Sequence, residues 1–232
     1  MTTLLLATRN ANKVAEIRAL LGTKFRCLSL EDFPNAPKVI EDASSFGGNA
    51  TKKAVTLARW LAATQATSST LDASTFFVLA DDSGLEVDAL GGAPGIHSAR
   101  FAALDSGGAG NATDGANNAR LLRLLARTPL EKRAARFRCV LALTPVLAAG
   151  PESASPVCYA DEFEMTTQLF EGACEGRIQF APSGPGGFGY DPLFVPDGFE
   201  QSFAELGGEV KNVISHRAKA VGKLRKHFQQ PP

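Results

Sequence analysis

No two of the chain's four cysteines stand in a C-x-x-C pair; Cys27, Cys139, Cys158 and Cys174 are widely spaced, with no histidine close by in sequence. That spacing points away from a zinc site and from a disulfide framework, and leaves small buried thiols as the plain expectation for Cys27 and Cys139. Neither sign of charge is in surplus: Lys plus Arg and Asp plus Glu are 24 each, a formal net charge of zero. A sequence-independent nucleic-acid binder needs a strong basic excess, so no nucleic-acid partner is expected. Long hydrophobic runs are missing as well. Leu4-Leu5-Leu6-Ala7 is too short for a leader or a span and is followed by Arg9, so no membrane partner and a cytoplasmic location are expected. The G-x-x-x-x-G-K-[ST] pattern of a P-loop does not occur.

What is there is an ordinary globular composition, 44% hydrophobic and 21% charged over 232 residues, enough to bury a sizeable core. Strand and helix signals alternate, which predicts an α/β fold. Strands are predicted at 4–7, 25–30, 76–80, 85–90, 134–143, 157–163 and 166–178. Helices are predicted at about 13–21, 49–63, 116–127 and 215–228, from apolar residues at helical spacing with Gly22 as one stop. Phe33–Pro37 reads as a turn, residues 64–74, 106–115 and 148–156 as loops, and 229–232 as a frayed end.

Four segments carry chemistry. Residues 79–101, LADDSGLEVDALGGAPGIHSARF, bring Asp81 and Asp82 to the end of a buried apolar run. Adjacent acids are costly together unless a cation neutralises them, and a hard divalent ion shared with a phosphate is one solution. A solvated Asp-Asp-Ser-Gly turn is the other, and at this point the two stand level. Glu41-Asp42 is a second acidic pair, able to complete a metal site or to be an exposed charged loop. Thr8–Lys13, opening a helix after the first strand, presents amides, a hydroxyl and an ammonium suited to a phosphate, although this segment alone favours an Asn10 or Asn12 cap with Lys13 and Glu16 as a surface pair.

The fourth region combines Pro182–Pro192, with six residues of which four are glycine between Gly184 and Gly189, and Lys211-Asn212-Val213-Ile214-Ser215-His216-Arg217. Phe188 and Tyr190 offer flat faces on which a base can stack; a purely structural Gly-rich hairpin, with Phe188 as a core anchor, is the rival. Ser215 reads as an N-cap, which puts His216 and Arg217 in a first helical turn, where cations oppose the helix dipole unless an acceptor-rich partner is present.

The segments ATRNANKVAEI, ADDSGLEVDALGGAPGIHSARF, PSGPGGFGYDPLF and SFAELGGEVKNVISHRAKA, in this order from Leu4 to Lys219, resemble the inosine triphosphate pyrophosphatase family. The resemblance implies a single domain over 1–232: an elongated mixed β-sheet flanked by helices, in two lobes around one nucleotide-binding cleft, as a homodimer. It implies Mg²⁺-dependent hydrolysis of ITP, dITP or XTP to the monophosphate and pyrophosphate. Residue by residue, Thr8, Arg9, Asn10, Ala11, Asn12 and Lys13 match the triphosphate loop, and Glu41, Asp81 and Asp82 the metal ligands, with Asp82 as general base. Ser83 matches a substrate contact; Phe188, Gly189, Tyr190, Asp191, Lys211, His216 and Arg217 match the base side. Two departures stand out: Gly48 in Gly48-Asn49-Ala50 replaces a usual glutamate, and His97 a common tyrosine. The alternatives are a septum-inhibitor (Maf-type) pyrophosphatase acting on pyrimidine or modified nucleotides, disfavoured by Lys211 and Ser215-His216-Arg217, and a nucleotide sensor without turnover.

Overall fold

The computed structural model describes residues 1–65, 75–107, 110–147 and 162–229. Among them six strands form one sheet: β1 (Thr3–Leu6), β2 (Arg26–Ser29), β3 (Phe76–Val87), β4 (Ala134–Pro145), β5 (Gln168–Ile178) and β6 (Phe194–Pro196), in the order β2-β1-β3-β4-β5-β6. β1 runs parallel to β2 and β3, whereas β5 and β6 are antiparallel, so the sheet is mixed, as expected. Helices α1 (Ala11–Leu21), α2 (Phe46–Gln65), α3 (Asp114–Leu124), α4 (Glu162–Met165), α5 (Phe203–Ile214) and α6 (His216–His227) flank it, and none is long and apolar enough to cross a membrane. The chain parts into two compact units: Met1–Asp82, Val140–Phe170 and Leu224–Pro232 make the first, and Ser83–Cys139 and Glu171–Lys223 the second.

In the first unit, β1 is buried along its whole length, the pattern of a parallel strand covered on both faces. α1 packs Ile17 and Leu21 inward; α2 contributes Ala50, Ala54, Leu57, Ala58 and Leu61. Both helices begin earlier than predicted because the caps lie further upstream. The Asn10 side chain accepts from the amides of Asn12 and Lys13 (3.0 and 3.2 Å), and the Ser45 hydroxyl accepts from that of Gly48 (3.1 Å). α1 ends at Gly22, whose N–H still bonds to the Arg18 carbonyl while its φ of 67° turns the chain out of the helix.

The second unit packs α3, α5 and α6 residues around Leu85, Phe137, Ile178 and Phe194. Phe137 meets Phe194 edge-on at 4.8 Å between ring centroids. α5 was not predicted, although the capping box that opens it is legible in Ser202-Phe203-Ala204-Glu205: the Ser202 hydroxyl accepts from the Glu205 amide, and the Glu205 carboxylate from the Ser202 amide. Gly207, at φ 76°, breaks its helical path.

Three predicted boundaries are corrected. Residues 76–80 and 85–90 are not two strands joined by a turn; a single strand runs from Phe76 to Val87, and Asp88–Leu90 forms a 3₁₀ turn. The Asp-Asp-Ser-Gly segment stays extended because its acids are neutralised inside the protein and need not reach water. Of the predicted strand 157–163, Glu162 and Phe163 open the helix α4, and 157–161 lie outside the described residues. The predicted loops 64–74 and 106–115 yield their ends to α2 and α3; 66–74, 108–109, the 148–156 loop, Cys158 and 230–232 lie outside the described residues.

Candidate functional site

The first unit holds a buried cluster of opposed charges. The Asp81 carboxylate, fully buried, accepts from the Lys13 ammonium, which α1 delivers from its first turn. Lys53, on the inward face of α2, donates to the Asp81 carbonyl (2.7 Å) and lies 3.4 Å from Asp82 Oδ1 and 3.2 Å from Glu41 Oε2. Asn49, one helical turn earlier, donates through Nδ2 to Asp82 Oδ2 (3.1 Å) and accepts through Oδ1 from the Ala43 amide (2.9 Å). Asn49 therefore ties the segment carrying Glu41 to β3. Burial pushes the Asp82 carboxyl above the ordinary carboxylate range, Lys53 and Lys13 pull it down in part, and Glu41 adds to the rise.

Two ammonium groups against three carboxylates leave this cluster one negative charge. Among the described residues no three acidic, histidine or cysteine side chains are set as a ready metal cage. Glu41 and Asp82 nevertheless converge on one cationic centre, the Lys53 ammonium, and present hard oxygen donors. Two carboxylates with the phosphates of a ligand are what Mg²⁺ commonly uses, so this donor set fits it. Asp42 is not part of the cluster: its carboxylate, exposed, pairs with Lys52 at 2.6 Å. At Gly48 a Cβ would meet that of Ala43 at 2.8 Å, so the loop occupies the space a side chain would need there.

Lys53 and Asn49 were missed in the sequence. The signal for Lys53 was present: a lysine on the same stripe of α2 as Ala50, Ala54 and Leu57, only 8% exposed in the fold. In the Thr8–Lys13 loop the capping interpretation is realised. Asn10 is the cap, Thr8 Oγ1 accepts from the Asn10 amide (3.2 Å), and Arg9 donates to the Ala36 carbonyl (3.1 Å). Ala11 and Asn12 lie exposed in the first turn.

In the second unit the base-side residues come together around one aromatic ring. Lys211 Nζ donates to Asp191 Oδ2 at 2.6 Å, both side chains nearly inaccessible, and lies 4.4 Å from the centre of the Phe188 ring. Arg217, 1% exposed, has its guanidinium carbon 6.0 Å from that ring and donates through Nη2 to the Ser83 hydroxyl at 2.9 Å. His216 stacks on Phe137 at 4.8 Å with 13° between planes. His216 and Arg217 are thus both buried. The start of α6 comes this close to β5 because of Gly172, where a Cβ would fall 2.1 Å from the His216 carbonyl.

Tyr190 differs from its expected part as a stacking face. It is 4% exposed, its hydroxyl donates to the Ser98 carbonyl (2.9 Å), and burial pushes its phenol far up, with the Asp114 charge adding to the rise. It is a core anchor, and the half-buried Phe188 is the aromatic that keeps a face open. Asp191 is likewise an organiser: besides Lys211 it accepts from the Phe188 amide (2.9 Å), packed so closely that a Cβ on Gly187 would meet its carboxylate at 2.5 Å.

Known proteins resemble the chain along nearly its whole length. A dITP/XTP pyrophosphatase of Shouchella clausii is 41% identical over 229 residues, covering 99% of this chain and 98% of that protein. A HAM1 protein from Coxiella burnetii superposes with a TM-score of 0.74 at 32% identity, covering 100% of both chains. The Ham1 protein of Staphylococcus aureus gives 0.72 at 30%, covering 98% of each. The Ham1 family model matches residues 4–227, and the chain belongs to that family.

Proposed function

We propose that this chain hydrolyses the deaminated purine nucleoside triphosphates ITP, dITP and XTP to the nucleoside monophosphate and pyrophosphate, clearing them from the nucleotide pool. The observation that carries this is Asp82: a buried carboxylate raised above its ordinary range, between two lysine ammoniums and a second acid. Such a group is suited to take a proton from an attacking water. The relatives named dITP/XTP pyrophosphatase support the same chemistry.

Lys13, at the start of α1, balances phosphate charge together with the amides of that helix end. Lys53 holds the Asp82 carboxylate in place and shields it from Glu41. Glu41 and Asp82, with Asp81 beside them, are the oxygens that would hold Mg²⁺. When bound, Mg²⁺ supplies neutralisation of the charge on the triphosphate and on the leaving pyrophosphate.

Asp82 belongs to the first unit and Ser83, its covalent neighbour, to the second. We assign the phosphates to the Asp82 cluster and the nucleobase to Phe188, Lys211, His216 and Arg217. Arg217 only donates hydrogen bonds. It accepts a 6-oxo purine as partner and opposes the 6-amino group of adenine, a mismatch able to discriminate by roughly 10⁴-fold where the site is buried. A homodimer, which rests on the family resemblance, and a cytoplasmic location belong to the same proposal.

The test is a substrate panel. With Mg²⁺ and, separately, ITP, dITP, XTP, GTP, ATP and dTTP, pyrophosphate is released from the first three while ATP and GTP stay nearly inert. Orthophosphate as product, a preference for dTTP, or binding of ITP without turnover contradicts the proposal.

A further inference from the structure

The loop that carries Phe188 is held from outside by two residues of α3 with no assigned part in the reaction. Asp114 Oδ2 accepts from the Gly189 amide at 2.7 Å, and Asn118 Nδ2 donates to the Gly189 carbonyl at 3.0 Å. Asp114 and Asn118 are four residues apart, hence one above the other on the same helix face. Both polar groups of one residue are therefore gripped by one helix. Gly189 sits at φ 63°, and a Cβ there would meet nothing within 4 Å, so its left-handed backbone and not space calls for glycine.

The gripping helix is itself tied down. Asn117 accepts from the Ala102 amide (2.8 Å) and donates to the Ala99 carbonyl (3.3 Å). Ser98, in the same segment, accepts through Oγ from the Leu85 amide of β3 (2.9 Å), and its carbonyl accepts from Tyr190. Phe188 and Tyr190, on either side of Gly189, thus belong to a loop braced through α3 and the 95–106 segment to the strand that carries Ser83. On the other side Asp191, bonded to the Phe188 amide, is fixed by Lys211.

We propose that Asp114 and Asn118 are positioning residues for base recognition: by clamping the Gly189 peptide they set the Phe188 ring against Lys211 and Arg217. The proposal rests on the assignment of Phe188 to the nucleobase. Neither side chain touches the base in this account; each acts through the backbone that aims the ring. Their effect falls on binding of the base and spares the phosphate end.

The experiment measures KM and kcat for ITP, the inhibition constant of inorganic tripolyphosphate, which has no base, and the melting temperature. The variants are Asp114→Ala, Asp114→Asn, Asn118→Leu and Phe188→Ala. Asp114→Ala and Asn118→Leu each raise KM for ITP by roughly tenfold, the size of one lost hydrogen bond to a charged or well-aligned partner. kcat stays within about twofold and tripolyphosphate inhibits as before, because the change is confined to the base. Asp114→Asn, which keeps an acceptor oxygen, recovers most of the loss. If Asp114→Ala folds poorly, Asn118→Leu carries the test with the acidic residue in the first turn of α3 intact. Unchanged KM in Asp114→Ala and Asn118→Leu, while Phe188→Ala raises it, overturns the clamp and leaves the base assignment standing. Unchanged KM in Phe188→Ala as well overturns both. A parallel rise in KM and in the tripolyphosphate constant overturns the clamp by making the defect general.

Discussion

Replacing Lys211 with methionine keeps most of the aliphatic stem and removes the charge that faces Asp191. The side chains of the pair are 6% and 2% exposed and 2.6 Å apart, so the carboxylate left behind has no route to water. Stranding one member of a buried ion pair costs about 3–5 kcal/mol. For a chain of this size each kcal/mol lowers the melting temperature by about 2–4 °C, which gives a loss of roughly 6–20 °C. The loss is a property of the pair. Asp191→Asn in the same chain removes the stranded charge and still accepts from the Phe188 amide through its side-chain oxygen. The double variant Lys211→Met/Asp191→Asn therefore regains at least about half of the stability lost in Lys211→Met, a coupling well above the roughly 0.5 kcal/mol expected of independent sites. Calorimetric melting of the two single variants and the double closes the cycle. A double variant as unstable as the sum of the singles refutes the claim that Asp191 serves as an organiser held by Lys211.

The acid limb of kcat/KM lies above the ordinary carboxylate range, because the working form of Asp82 is the carboxylate and burial raises its folded value; activity falls as pH drops through that raised value. Lys53→Met, which removes an attraction that lowers it, moves the limb further up, and a limb left in place contradicts the assignment. The fully buried Arg133 donates to the carbonyls of Thr128, Gln179 and Leu125 at 2.9, 3.1 and 2.7 Å and covers the Phe180 ring at 4.1 Å. Arg133→Met leaves those acceptors unmet and destabilises by about 3–5 kcal/mol in urea unfolding. Arg133→Lys recovers only a small part, since a point ammonium cannot serve three divergent carbonyls.

The elements that were legible in the sequence are those whose signals are local. Leu4-Leu5-Leu6, the apolar stripe of α2 and the Ser202/Glu205 capping box are written within a few neighbouring residues, although the last went unused. The Asp81-Asp82 pair was legible as chemistry and not as backbone. Its residue types favour a turn, and the ammoniums that neutralise it in the extended form, Lys13 and Lys53, lie 68 and 28 residues away in sequence from Asp81. Tyr190 and Phe188 could not be told apart for the same reason: the acceptor that buries one of them is the Ser98 carbonyl, 92 residues distant. The Asp114 and Asn118 contacts to Gly189, across 75 and 71 residues, carry no sequence signal beyond helical spacing.

The central claim is that the buried Asp82 carboxylate performs the hydrolysis, and it is tested by pyrophosphate release from dITP in Asp82→Asn beside the unchanged chain, with dITP binding to each followed by calorimetry. The account predicts that the variant still binds dITP and has lost turnover by at least about 10²-fold, the scale of a lost general base. Release of pyrophosphate by Asp82→Asn at close to the original rate would contradict it.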